Sequence, residues 1–116
     1  MKTNFSYDAE ADILYFTISE KNVDFSIDYD DTIIDVSGNK VVGVEIMNAT
    51  EKFAKSDNEL DSTRKMLNSI KEARMKVDYK LDSFIIKIGF TSQIPEQVSE
   101  GMIIQVPIRK ELMVEI

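Results

Sequence analysis

Apolar and polar residues alternate along most of this chain, and one stretch of helical period interrupts the alternation. Side chains on a strand point to opposite faces with period two, so each alternating run predicts a strand with one apolar face. Asn4 to Tyr7 predicts a short first strand, and Asp8 to Asp12 an acidic turn. Ile13 to Ile18 is apolar on both faces, which predicts a central strand covered on both sides. Ser19 to Asn22 is polar and reads as a turn. Val23, Phe25, Ile27 and Tyr29 alternate with Asp24, Ser26, Asp28 and Asp30, a strand with one buried and one wet face.

The clearest local signal follows, from Asp31 to Phe53. Thr32, Ile34 and Val36 alternate with Ile33 and Asp35, and Val42, Val44 and Ile46 alternate with Val41, Gly43, Glu45 and Met47. Ser37-Gly38-Asn39-Lys40 lies between them, and Gly and Asn tolerate the positive φ that a hairpin turn demands. Gly43, inside a strand pattern, marks a bulge or a close backbone approach. Asn48 stands where the alternation stops, with Glu51 three residues on, the spacing of a capping box for a short helix.

Leu60, Thr63, Leu67 and Ile70, widened by Met66 and Ala73, predict a helix over Glu59 to Arg74. Met75 to Leu81 and Phe84 to Phe90 then alternate as two strands. Thr91 to Gly101 reads as the longest loop, because Pro95 cannot donate to a ladder. Met102 to Ile108 predicts an edge strand with Pro107 near its end, and Leu112, Val114 and Ile116 a last strand. The expected fold is α+β. It has about nine strands in antiparallel hairpins, in one sheet or two sub-sheets, with one or two helices packed on them. At 116 residues a single domain is expected, with an acidic strand-rich part over 1–54 and a helix plus strands over 55–116.

VVGVEIMNATEKF, preceded by the DDTIIDV strand, resembles the domain-of-unknown-function family 2283. Tyr7-Asp8-Ala9-Glu10-Ala11-Asp12-Ile13-Leu14-Tyr15-Phe16 is similar to that family's opening hairpin, although Ala9 stands where Pro is frequent. The resemblance covers about residues 3–53 and brings no catalytic residues with it. Some members are thought to be encoded beside small toxin-like proteins, so the resemblance implies an antitoxin-like binding role.

Charge sharpens the picture. The net charge is −7, and residues 1–47 carry ten acids against three bases, while residues 48–116 carry eleven of each. All of the excess therefore sits on the family-like part. An acidic surface repels phosphate backbones, so nucleic acid is not an expected partner. It would steer a basic protein. No apolar run reaches the ~20 residues of a membrane span, and the N-terminus lacks a secretory apolar core, so a cytoplasmic chain is expected.

The chain has no His and no Cys. That removes the commonest general base, the usual zinc ligands and the Ser–His relay. The glycines, at 38, 43, 89 and 101, are too scattered for a phosphate loop. Among the acids, Asp28, Asp30, Asp31 and Asp35 gather around one strand junction. Carboxylates so spaced hold Mg²⁺ or Ca²⁺, or act as a paired acid and base. A solvated strand face and turn is the plainer reading, because the loop lacks the Gly and Glu spacing of a calcium loop. Asp8, Glu10 and Asp12 admit the same two readings. Tyr7, Tyr15, Tyr29 and Tyr79 read as sheet packing, and Lys76, Lys80 and Lys87 as solvated strand lysines rather than an anion site. No catalytic residue and no cofactor is expected. The sequence suggests a non-catalytic protein-interaction module, antitoxin-like toward a small basic protein. A structural homo-oligomer such as a dimer is the alternative, and a carboxylate-based metal enzyme the third reading.

Overall fold

A computed structural model of the chain describes residues 2–19, 22–93 and 98–107. Five antiparallel strands form one sheet: β1 (Asn4–Asp8), β2 (Ile13–Thr17), β3 (Phe25–Tyr29), β4 (Thr32–Ser37) and β5 (Lys40–Met47). Their spatial order is β1-β2-β5-β4-β3. The short helix α1 (Ala49–Phe53), a 3₁₀ turn at Asp57–Glu59 and helix α2 (Leu60–Asn68) follow. A second antiparallel sheet of β6 (Ile70–Tyr79), β7 (Ser83–Ser92) and β8 (Val98–Pro107) closes the described chain. The expected α+β class with two sub-sheets is what the chain forms. Of the expected strands, eight are described; the one at Leu112–Ile116 lies outside the described residues.

Each sheet buries one face, and the two faces meet. Leu14, Phe16, Ile34, Val44 and Ile46 from the first sheet join Ile86, Ile88, Phe90, Ile104 and Val106 from the second in one apolar cluster. Phe16 stacks on Phe90 with ring centroids 6.3 Å apart, and Phe53 of α1 meets the same Phe90 ring edge-on at 5.2 Å. A fully buried side chain of this size contributes about 1.5–3 kcal/mol by leaving water. Met66 and Leu67 of α2 and Ala49 of α1 add to the cluster.

Several expectations need correction. The helix expected over Glu59–Arg74 stops at Asn68, and Ile70 already belongs to β6. The register against β7 shifts between Ile70 and Glu72, so Lys71 is an extra, bulged residue. Ile70 and Ala73 therefore share one strand face at a spacing of three, which a helix also produces. The loop expected over Thr91–Gly101 is mostly ladder: β7 continues to Ser92 and β8 begins at Val98. Ser92 tolerates this buried position because its hydroxyl donates to the Met66 carbonyl at 2.8 Å. Pro95 lies outside the described residues. Strand β2 is second from the edge rather than central, and on its outer side Ile13 and Tyr15 stay half-exposed. Strand β3 is an edge strand that starts at Phe25, so its apolar face is only half-covered and Val23 stands in solvent.

The cap of α1 also differs from expectation. Asn48 has φ 53° and makes no side-chain cap. Asp12, in the β1–β2 turn, does the capping instead. Its carboxylate accepts from the Thr50 N–H at 3.1 and 3.2 Å, and its own carbonyl accepts from the Ala49 N–H at 3.1 Å. The Thr50 and Tyr7 hydroxyls each donate to Asp12 Oδ1 at 2.6 Å. The turn that presents Asp12 is held by Asp8, whose carboxylate accepts from the Glu10 and Ala11 N–H groups. Burial and the Asp12 carboxylate raise the Tyr7 phenol above its ordinary pKa. The acidic turn is thus a tie between the first hairpin and the first helix.

Removal of this acceptor leaves the buried Thr50 and the Tyr7 hydroxyl without their common partner. Asp12→Ala should lower unfolding stability by about 2–4 kcal/mol, the range for losing several charge-assisted bonds and a cap, and Tyr7→Phe by about 1 kcal/mol. Urea unfolding of the three proteins at neutral pH checks both values.

Candidate functional site

The outer face of the five-stranded sheet is the part that the core leaves free. Antiparallel register places Asp35 of β4 opposite Gly43 of β5 on one side and opposite Ser26 of β3 on the other. The ladder slips between Asp35 and Val36, so Val42 is the bulged residue and Gly43 sits beside it. Gly43 has a reason to lack a side chain. A Cβ there would lie 3.0 Å from the Tyr15 hydroxyl, 3.3 Å from Asp35 Oδ2 and 3.3 Å from the Phe16 carbonyl. The bare backbone lets Tyr15 reach from β2 across β5 toward Asp35 on β4.

Asp35 is 9% exposed and holds this cluster together. Ser26 Oγ donates to Asp35 Oδ1 at 2.8 Å, a sound hydrogen bond. The Tyr15 hydroxyl donates to Oδ2 at 3.5 Å, which is long and correspondingly weak. Glu45 lies opposite Tyr15 in the β2–β5 ladder and opposite Ile33 in the β4–β5 ladder. Burial first, and then the Asp35 charge, push the Glu45 carboxyl above its ordinary pKa. Burial and the same charge raise the Tyr15 phenol. The cluster is therefore two nearby carboxylates with two hydroxyls turned to one of them. It suits an incoming cation and repels an anion.

The four acids singled out in the sequence do not converge. Asp35 is the buried centre just described. Asp28 lies on the same outer face, opposite Ile33, and is exposed. Asp30 and Asp31 form the two-residue β3–β4 turn, where Asp30 has φ 51° and pairs with Lys52 at 3.7 Å. The Asp31 carbonyl accepts from the Met47 N–H. Among the described residues, no group of three or more acidic side chains is placed to hold a metal ion. Asp8 and Asp12 serve the turn and the cap. Lys87 pairs with Asp78 at 3.4 Å, while Lys76 and Lys80 point to solvent. Glu45 and Ser26 were not singled out in the sequence. A register that paired Gly43 with Asp35 would have found them, because Ser26 and Glu45 follow from it by adjacency.

Charge is sorted between the faces. The acids within the five strands are Asp8, Asp28, Asp35 and Glu45, and the register puts all four on the outer face. The only base in these strands is Lys40, at the start of β5, and its ammonium lies over the Tyr79 ring, 4.4 Å from the centroid. The outer face of the second sheet is different: Arg74, Lys76 and Lys87 stand there with Glu72 and Asp78. Among the described residues, no helix is long and apolar enough to cross a membrane.

Glu45 gives a pH-dependent test. Its folded pKa is raised, so the folded state takes up its proton at higher pH than the unfolded chain does. That group's contribution is favourable below the unfolded pKa and is lost as pH rises through the folded one. Glu45→Gln should therefore unfold at a higher urea midpoint than the parent protein at pH 7. The difference should close as pH falls into the ordinary carboxylate range. Paired urea titrations from pH 4 to 7, about the span over which a carboxylate titrates, measure it.

No curated protein and no solved structure matches the chain. Residues 4–49, which run from the start of β1 to the first residue of α1, match the family described as Protein of unknown function (DUF2283).

Proposed function

We propose that this chain is a non-catalytic protein-interaction module whose acidic sheet face receives a small basic protein, in the manner of an antitoxin. The sorting of charge carries this reading: every acid in the five strands is on the outer face, and the one base there is turned away to Tyr79. A face of one sign attracts a partner of the other and speeds its encounter. Half-exposed Ile13, Tyr15, Ile33 and Met47 are interspersed with the acids, which gives the face apolar contact area as well as charge. The same field disfavours nucleic acid, whose phosphates it would repel. The separation of Asp28, Asp30, Asp31 and Asp35 gives a carboxylate-metal enzyme no support.

The test uses the small basic product of an adjoining reading frame, co-expressed with this protein. It should co-purify at low salt and dissociate as salt rises. Asp28→Lys/Glu45→Lys should weaken the complex by at least about tenfold, a 1.4 kcal/mol loss, with the circular dichroism of the free protein unchanged. Binding that ignores both salt and the double reversal would overturn the reading, as would failure of adjoining products to bind.

One observation favours a second reading, a homo-oligomer. Among the described residues, strand β8 is a ten-residue edge strand whose only charge is Glu100, and its Ile103 is 69% exposed on the outer side. Long edges of low charge invite pairing with another chain. Light scattering at micromolar concentration should then give twice the chain mass, and a monomer would end this reading.

A further inference from the structure

We propose that the cleft where the two sheets meet at Lys40 and Tyr79 binds a small amphipathic carboxylate. This goes beyond the protein-binding reading and uses a different surface. The cleft has a volume of about 350 Å³ and is lined by Ile18, Ser19, Lys40, Val41, Val42, Val77 and Tyr79. That volume accommodates about twelve non-hydrogen atoms at the roughly 30 Å³ a water molecule claims in the liquid. Its size and apolar lining with few polar groups are those of a small-molecule site.

The walls come from both sheets. Ile18 follows β2, Lys40 to Val42 open β5, and Val77 and Tyr79 end β6. The β-bulge at Val42 shapes the β5 side, since the extra residue is set out of the ladder there. A hydrogen bond ties the two walls together: the Val41 N–H donates to the Tyr79 hydroxyl at 2.9 Å. Phe84 packs edge-on against the Tyr79 ring at 5.4 Å and holds it in place.

The polar end is cationic. Lys40 lies over the Tyr79 ring, and among the described residues it forms no ion pair. An ammonium so placed is attracted by the ring face and keeps its N–H groups for an acceptor. The Tyr79 hydroxyl, already an acceptor from Val41, keeps its proton to donate. A carboxylate at the mouth would thus meet an ammonium and a phenol, and its hydrocarbon tail would lie against Ile18, Val42 and Val77. A cationic head would be repelled by Lys40. An uncharged alcohol would have the tail contacts without the charge-assisted bond, which is the stronger kind.

Octanoate, with ten non-hydrogen atoms, is a probe of the right size and chemistry. Amide NMR titration of the full chain should show shifts concentrated at Val41, Val42, Val77 and Tyr79. Octanol should bind about tenfold more weakly, and octylammonium should leave these signals in place. Lys40→Met, an exposed position, should bring octanoate down to the affinity of octanol. Equal affinity of the parent protein for octanoate and octanol would overturn the proposal without any variant. So would shifts that map elsewhere, an absence of shifts, or a Lys40→Met protein that binds octanoate unchanged.

Discussion

The five-stranded sheet has one apolar face, and that face must be covered. A sheet of this kind exposed to water on both sides would not hold its strands, because hairpins and small sheets draw their stability from packing on a second layer. Here the second layer is the three-stranded sheet with α1 and α2, and Phe16 against Phe90 is the contact at its centre. Most other features follow from that closure. Helix α1 is brought near enough for Phe53 to join the same ring, and Asp12 then caps it from the other side. The inward strand positions become obligate apolar ones, so polar and charged residues are confined to the outer face. The segregation of charge is thus in part a consequence of the fold.

What the fold does not require is the sign of that outer face. Alternating Lys and Glu would have kept it soluble and satisfied edge protection equally well. The four strand acids stand without a base among them, and two of them, Asp35 and Glu45, are close enough for one to raise the pKa of the other. This arrangement costs stability at neutral pH. Folding by itself would be served by removing one of these charges. Gly43 belongs to the same logic. Its missing side chain is the space through which Tyr15 approaches Asp35, and an ordinary β-former at that position would have filled it.

The second sheet is where this chain departs from the match to residues 4–49. It supplies Val77 and Tyr79 to the junction cleft and gives the Lys40 ammonium an aromatic face to lie on. Two surfaces of opposite character result. One is a broad acidic face on the first sheet, and the other is a small apolar cleft with a cationic mouth that neither sheet has alone.

Period-two patterning was enough to place β1 to β5 and the antiparallel character of the whole, because each strand's own residues declare which side is buried, and turn-forming residues marked the turns at Asp8–Asp12 and Ser37–Lys40. The glycine inside β5 likewise announced a bulge or a close approach, and both are present. The acids at 28, 30, 31 and 35 were visible as a group, but their separation was not, since only the register tells that two form a turn while Asp35, on the outer face, is enclosed by Ser26 and Tyr15. Local pattern failed where a bulge changed the period: Lys71 set Ile70 and Ala73 three apart, and a strand then looked like the end of a helix. It failed again at α1, whose cap comes from a residue that is distant in sequence. Tertiary structure alone decided the junction cleft and the acidic cluster, because both are made by residues from separate strands, and only closure of the core brings those strands together.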